Sequence, residues 1–256
     1  MKVWASADVH MPISEIGACA RRAEALGYDG IKIADVVHDG FLGAAAALAA
    51  TRRITVCTPA LVAFARSPMI VAVAAWDLRG AYGERFELGL GPQVRGNIVR
   101  RYSERWTPPA PRMREYVRSL RAIFDCWQNG TELAFEGEHY HFTRMQSFIK
   151  PRPIEHPDMP IVVAGIGPLM TAVAGEVADA LATHPTNKNE LLAWDLAHDP
   201  SELALLDVAA LRLRLFSKSA ELPEGVQRLP LKSVHLNKSP MVVRKLQTLS
   251  PAMAAK

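Results

Sequence analysis

The chain has 256 residues, 49% of them hydrophobic and 22% charged, with 30 Lys+Arg against 26 Asp+Glu for a formal net charge of +4. This is the composition of an ordinary globular protein with a large core. It excludes a disordered or highly charged chain, and the charge is too small to argue for nucleic acid as a partner.

Cys19, Cys57 and Cys126 are odd in number, far apart and in no CxxC pattern, so neither a disulfide framework nor a zinc site is expected and a reducing cytoplasm fits best. The longest apolar runs, 43–50 and 69–76, are far below a membrane span, and no basic region followed by a long apolar run opens the chain. A soluble, unexported protein with no membrane partner is the expectation.

In chain order, Lys2–Ser6 reads as a first strand, and Ser14 as the cap of a helix running to Leu26, where Gly27 stops it. Gly30–Ala34 is a second strand, Phe41–Ala50 an alanine-rich helix, and Ile54–Thr58 a third strand, its β-branched residues suited to a buried parallel sheet. Pro68 opens a helix to Arg79, and Phe86–Leu90 is the fourth strand. After the proline-rich stretch Trp106–Pro111, Met113, Val117, Leu120, Phe124 and Trp127 recur at three- and four-residue steps, the stripe of a helix that Asn129-Gly130 ends. Leu133–Phe148 reads as an inserted hairpin with His139 and His141 on a solvent face. Ile161–Ala164, Leu169–Glu176 and Ala178–Thr183 then give a fifth strand, a helix and a sixth strand. Beyond Asn187 the pattern weakens. Asn189–Leu196 and Ser201–Leu215 are candidate helices, residues 217–256 read as loop or loosely held tail, and seventh and eighth strands are not recognisable.

The repeating β-then-α order implies a parallel sheet with right-handed crossovers, and a chain of this length fits one (β/α)8 barrel of about 250 residues or one open doubly wound sheet. Ligands in such folds sit where strands end. Those positions carry Asp8 and His10, then Asp35, His38 and Asp39, then Thr58-Pro59 and Arg66-Ser67, then Gln93, Arg95 and Asn97, then Gly165-Ile166-Gly167, and His184. The Gly165–Gly167 backbone leads into a helix and offers N–H groups and the positive dipole end to a phosphate. The third glycine of a dinucleotide fingerprint is absent, and Gly89-Leu90-Gly91 lacks the Lys-Ser/Thr of a P-loop. No histidine pair has the i, i+4 spacing of a metal site, so no metal is expected. His38 lies between Asp35 and Asp39, which in sequence are placed to hold its tautomer or raise its pKa. Thr58-Pro59 is a candidate cis peptide, because proline weakens the trans preference.

Four segments, Ala20–Asp35 (ARRAEALGYDGIKIAD), Val62–Leu78 (VAFARSPMIVAVAAWDL), Arg85–Tyr116 (RFELGLGPQVRGN…RMREY) and Val163–Asp179 (VAGIGPLMTAVAGEVAD), together resemble the bacterial luciferase-like flavin superfamily, and more narrowly its coenzyme F420-dependent branch. The resemblance implies a luciferase-like (β/α)8 TIM barrel that passes a hydride between coenzyme F420, or FMN, and a small organic substrate. It implies cofactor contacts at Asp35, at the bulge Thr58, Pro59 and Ala60, and at Gly91, Asn97, Gly165, Ile166 and Gly167, with Gln93 facing the ring's reactive edge. Position 94 is valine where some relatives carry a glutamate proton donor, which leaves His38 as the substitute. Dimers are common among such relatives, so a homodimer is an expectation.

The likeness covers residues 1–186, six barrel units with an inserted hairpin at 130–158. Residues 187–256 read as a divergent helical segment and a basic tail. They hold 10 Lys+Arg against 7 Asp+Glu, and nothing after Glu224 is acidic. The alternatives are an FMN-dependent luciferase-like monooxygenase and a truncated, non-catalytic barrel that binds a partner.

Overall fold

The computed structural model describes residues 3–182. The main sheet is parallel and its spatial order follows the chain: β1 (Trp4–Ser6), β2 (Gly30–Lys32), β3 (Thr55–Cys57), β5 (Phe86–Gly91), β8 (Ile161–Ala164) and β9 (Ala180–Ala182), with the short β4 (Leu61–Val62) also pairing β5. Helices α1 (Ile13–Ala25), α2 (Gly40–Ala50), α3 (Pro68–Tyr82), α5 (Pro109–Asn129) and α6 (Pro168–Val177) connect them, and a short α4 (Arg95–Arg100) follows β5. Successive parallel strands joined by helices are the first six units of a (β/α)8 barrel. The helices read at 189–196 and 201–215 and the tail at 217–256 lie outside the described residues.

Register explains the two faces. Ala5, Ile31, Val56 and Phe86 form one row across β1, β2, β3 and β5, and all are buried against the helices. The next row, Ser6, Lys32, Cys57 and Glu87, faces the interior, where Trp4, Cys57, Val162 and Ala182 make a second, smaller cluster. Alternation along a strand puts neighbours on opposite faces, so one face is aliphatic and helix-covered while the other holds aromatic, small and polar groups. Burial pushes the Cys57 thiol far above its ordinary pKa, and Glu87 adds to the effect, so this cysteine is a packed thiol rather than a nucleophile.

The expected stripe of α5 is buried in full: Met113, Val117, Leu120, Phe124 and Trp127. Each such side chain contributes about 1.5–3 kcal/mol on leaving water. The helix starts at Pro109, one turn before the sequence reading, because prolines in a first turn give up only N–H groups that lack helical partners anyway. Gly130, at φ 78°, ends it as expected.

Other elements differ from the sequence reading. Ser14 does not cap α1: Pro12 holds that position without a side-chain bond, its carbonyl accepting from Glu15 N at 2.9 Å. The hairpin shrinks to β6 (Phe135–Glu136) and β7 (His141–Phe142). His139 falls in its turn, where its Nε2 is buried without a hydrogen-bond partner, so it is not a solvent-facing strand residue, whereas His141 is exposed. The carboxylate of Glu115 on α5 organises this turn, accepting from the N–H groups of Glu138 (3.0 Å) and His139 (2.8 Å). β4 and α4 were not anticipated at all.

Candidate active site

The carboxyl ends of the strands are organised around a bulge. Cys57 pairs with Glu87 and Leu61 with Leu90, so four steps on one chain match three on the other. The extra residue reverses the alternation: Cys57 points inward, whereas Leu61 packs outward in the helix-side core. Within the bulge the Thr58 hydroxyl replaces the missing main-chain ladder, accepting from Gly89 N (3.1 Å) and donating to Gly89 O (3.3 Å). The cis peptide is Pro59–Ala60, not Thr58–Pro59 as the sequence suggested.

Glycines make room for this bulge. A Cβ at Gly89 would lie 2.5 Å from Pro59 N, and one at Gly91 would lie 2.5 Å from Ala60 Cβ. Gly89-Leu90-Gly91 is therefore the end of the strand over which the bulge leans. Thr58 and Pro59 are buried, and Ala60 is the partly open residue of the three.

Asp35 anchors the next loop. Its Oδ1 accepts from Gly40 N (3.0 Å) and Arg66 Nη2 (3.1 Å), and its Oδ2 from Val62 N (2.8 Å) and Arg66 Nη1 (2.7 Å). The same guanidinium donates to Asp39 Oδ2 (2.9 Å) and to Val62 O (3.2 Å), while Asp39 Oδ1 caps α2 through Phe41 N and Leu42 N. Arg66 thus ties the loop after β2 to the end of the bulge with the planar fork that suits two carboxylates. Burial disfavours the Arg66 charge, but Asp35 and Asp39 outweigh it and hold its pKa above the ordinary value. Tyr116 on α5 completes the seat, its hydroxyl donating to Arg66 O at 3.1 Å. Both carboxylates are engaged with Arg66 and main-chain N–H groups, and His38 is half-buried in the loop that joins them.

Past β5, Gln93 adopts a left-handed φ of 62° just before Val94, the N-cap of α4. Its Oε1 accepts from Val94 N (2.8 Å) and from Asn97 Nδ2 (3.1 Å), so these two expected site residues meet each other. Arg101 Nη2, just past α4, reaches Val36 O at 2.6 Å and draws this segment beside the β2 loop. After β8, the Gly165 N–H is used within the sheet, donating to Ala182 O at 2.9 Å. The N–H groups oriented by the start of α6 are those of Ile166, Gly167, Leu169 and Met170, since Gly167 caps the helix with no side-chain bond and Pro168 has no N–H.

The structure thus brings Asp35, His38, Thr58–Ala60, Gly91, Gln93, Asn97 and Gly165–Gly167 to one end of the sheet. Sequence reasoning missed Arg66 as the group that joins the loops. The available signal was its position just before Ser67, the cap of α3, on the same strand-end face as two aspartates.

A family model described as luciferase-like monooxygenase matches residues 2–201. A second model, the Exonuclease I SH3-like domain, matches residues 169–256. Within their overlap, the described residues up to 182 form α6 and β9, which pairs parallel with β8, so there the fold follows the first model. Among curated proteins, the chain is 45% identical over 159 residues to an uncharacterized protein of Mycobacterium tuberculosis, covering 62% of this chain and 47% of that one. It is 30% identical over 192 residues to the F420-dependent glucose-6-phosphate dehydrogenase of Nakamurella multipartita, covering 70% and 54%. The chain spans about half the length of these curated relatives. Among solved structures, the coenzyme F420-dependent tetrahydromethanopterin reductase of Methanopyrus kandleri superposes with a TM-score of 0.63 at 18% identity, covering 83% of this chain and 62% of that one.

Proposed function

Because the chain belongs to the luciferase-like monooxygenase family, we propose that it is an oxidoreductase that uses coenzyme F420, with FMN as the alternative, to pass a hydride to or from a small organic substrate. The observation that carries this reading is the convergence of a bulge and a helix N-terminus on strand ends that flank β5. The bulge is a platform for a planar ring, and the N–H groups of residues 166–170 are a seat for a phosphate. F420 is preferred to FMN because it is the cofactor named in the 30%-identical relative.

A bound (deaza)flavin supplies the hydride chemistry itself. The chain's own part is positional. Pro59 and Ala60 pack closely against Gly89 and Gly91, the Asp35–Arg66–Asp39 clamp fixes the loop that carries His38, and the Gln93–Asn97 pair fixes the edge beyond β5. In this reading His38 would hold or move a proton at a substrate heteroatom, supported by its position in the loop after β2 and by valine at position 94.

The test is a titration of the purified protein with F420 and with FMN, read by fluorescence quenching, followed by turnover of the reduced cofactor. Saturable binding of F420 supports the reading; binding of FMN alone moves the protein to the monooxygenase side, and binding of neither rejects it.

The match to the Exonuclease I SH3-like domain favours a second activity for the C-terminal part. Residues 225–256 contain basic residues and no acidic one. We propose that this part contacts nucleic acid, contrary to the expectation from net charge. A labelled single-stranded oligonucleotide should bind with an affinity that falls as salt rises, the signature of counterion release. Affinity that is absent at low salt rejects this reading.

A further inference from the structure

Residues 92–107, which follow β5, hold four arginines, Arg95, Arg100, Arg101 and Arg105, against one acid, Glu104, and all five side chains are exposed. Among the described residues none of these arginines pairs with a carboxylate, whereas Arg114, Arg118 and Arg121 on α5 each hold one. The aspartates of the facing loop, Asp35 and Asp39, already share the Arg66 guanidinium. Positive charge at this end of the sheet is therefore left without a counter-ion among the described residues.

Two of the guanidinium groups have a defined place. Arg101 Nη2 donates to Val36 O at 2.6 Å, which sets its head against the loop after β2 and engages one of its five N–H groups. Arg100 folds back along α4: a Cβ on Gly96 would lie 3.4 Å from its Nη2, so the bare glycine leaves room for this head over the first turn of the helix, the turn that holds Asn97. Neutral neighbours thus hold both heads, and most of their donors stay open. Because β5 pairs with β8, the segment after β5 starts one strand spacing, about 4.8 Å, from the segment that leads into α6.

FMN ends at its phosphate, whereas F420 continues beyond its phosphate as a chain of carboxylates. We infer that Arg100 and Arg101 receive that carboxylate chain and so select F420 over FMN, an inference that rests on the cofactor reading above and sharpens it. A planar guanidinium meets a carboxylate with two parallel N–H donors, and a phosphate seated at residues 166–170 puts the chain that follows it within reach of α4.

The experiment uses the full chain and three probes: F420, FMN, and the F420 ring with its ribityl phosphate but without the carboxylate chain. Binding is read by fluorescence quenching at low and at moderate salt, for wild type, for the double variant Arg100→Gln with Arg101→Gln, and for the control Arg52→Gln, an exposed arginine just before β3 at the amino end of the sheet. Wild type should bind F420 more tightly than the chain-free probe. The double variant should lose about tenfold in F420 affinity and most of its salt dependence, with affinity for the chain-free probe within twofold of wild type, and the control should match wild type throughout. A double variant that keeps its F420 affinity, or that loses affinity for both deazaflavin probes alike, overturns the inference and leaves the cofactor reading standing. FMN bound by wild type as tightly as F420 also overturns it. A protein that takes up none of the three probes overturns both.

Discussion

Two arginines, one at each end of the sheet, show how the same side chain serves different ends. Arg79 on α3 is buried at the amino end, where it donates to the main-chain oxygens of His156 (2.9 Å), Phe86 (3.0 Å) and Asp158 (2.9 Å). It fastens the segment before β8 to the start of β5 through neutral acceptors, and burial lowers its pKa. Arg66 at the carboxyl end binds two carboxylates and a carbonyl, and its pKa is raised. One joins the scaffold with dipoles. The other ties the loops after β2 and after the bulge with charge, at the end of the sheet proposed to hold the cofactor. The lesson is that the ion pairs at the strand ends are organised for loop position, while the amino end is organised for cohesion alone.

Substitutions can break this contrast, beginning with the largest effect. Arg66→Met leaves the buried Asp35 carboxylate without its counter-ion and should cost about 3–5 kcal/mol in urea unfolding. The surviving folded protein should also lose at least tenfold in cofactor affinity. Arg79→Met strands three carbonyls and should cost about 1–3 kcal/mol, with cofactor affinity of the folded protein unchanged; a comparable loss of affinity would erase the distinction between the two ends. Thr58→Val removes both hydroxyl bonds to Gly89 and should cost about 1–2 kcal/mol, whereas Thr58→Ser should restore most of it. Equal melting temperatures for the valine and serine variants would contradict the ladder-replacing role of the hydroxyl.

The smallest effect is a pH dependence. Burial works against the Asp39 charge, but the Leu42 N–H, Arg66 and the Phe41 N–H together hold its carboxyl below the ordinary aspartate value. A depressed folded-state pKa gives stability that is complete above the unfolded value near 4 and is lost as pH falls through the lower folded one. The gap in melting temperature between wild type and Asp39→Asn should therefore be constant from pH 7 to about 5 and shrink below about 4. A gap that widens on acidification has the wrong sign for this account.

Much of the scaffold was legible because periodicity reports burial directly: the α5 stripe and the β-branched runs of β3 and β8 point to their buried faces. The bulge was harder to read. Thr58, Pro59 and Ala60 carry no mark of the one-residue register shift that turns Leu61 outward, a shift fixed by pairing with β5, distant in sequence. Likewise, Asp35 and Asp39 looked like partners of the nearby His38, while their real partner, Arg66, arrives from 27 to 31 residues away. Local spacing suggested the right end of the sheet and the wrong pairings within it.

The strand ends of the described sheet are proposed to hold a phosphorylated (deaza)flavin jointly. Hydrogen–deuterium exchange of the whole protein, with and without saturating F420, tests it most directly. Slowed exchange confined to residues 35–42, 60–66, 93–98 and 166–171, with α1 and the β6–β7 hairpin unchanged, is the predicted result; protection of the hairpin or of α1 without protection of those four segments would contradict it.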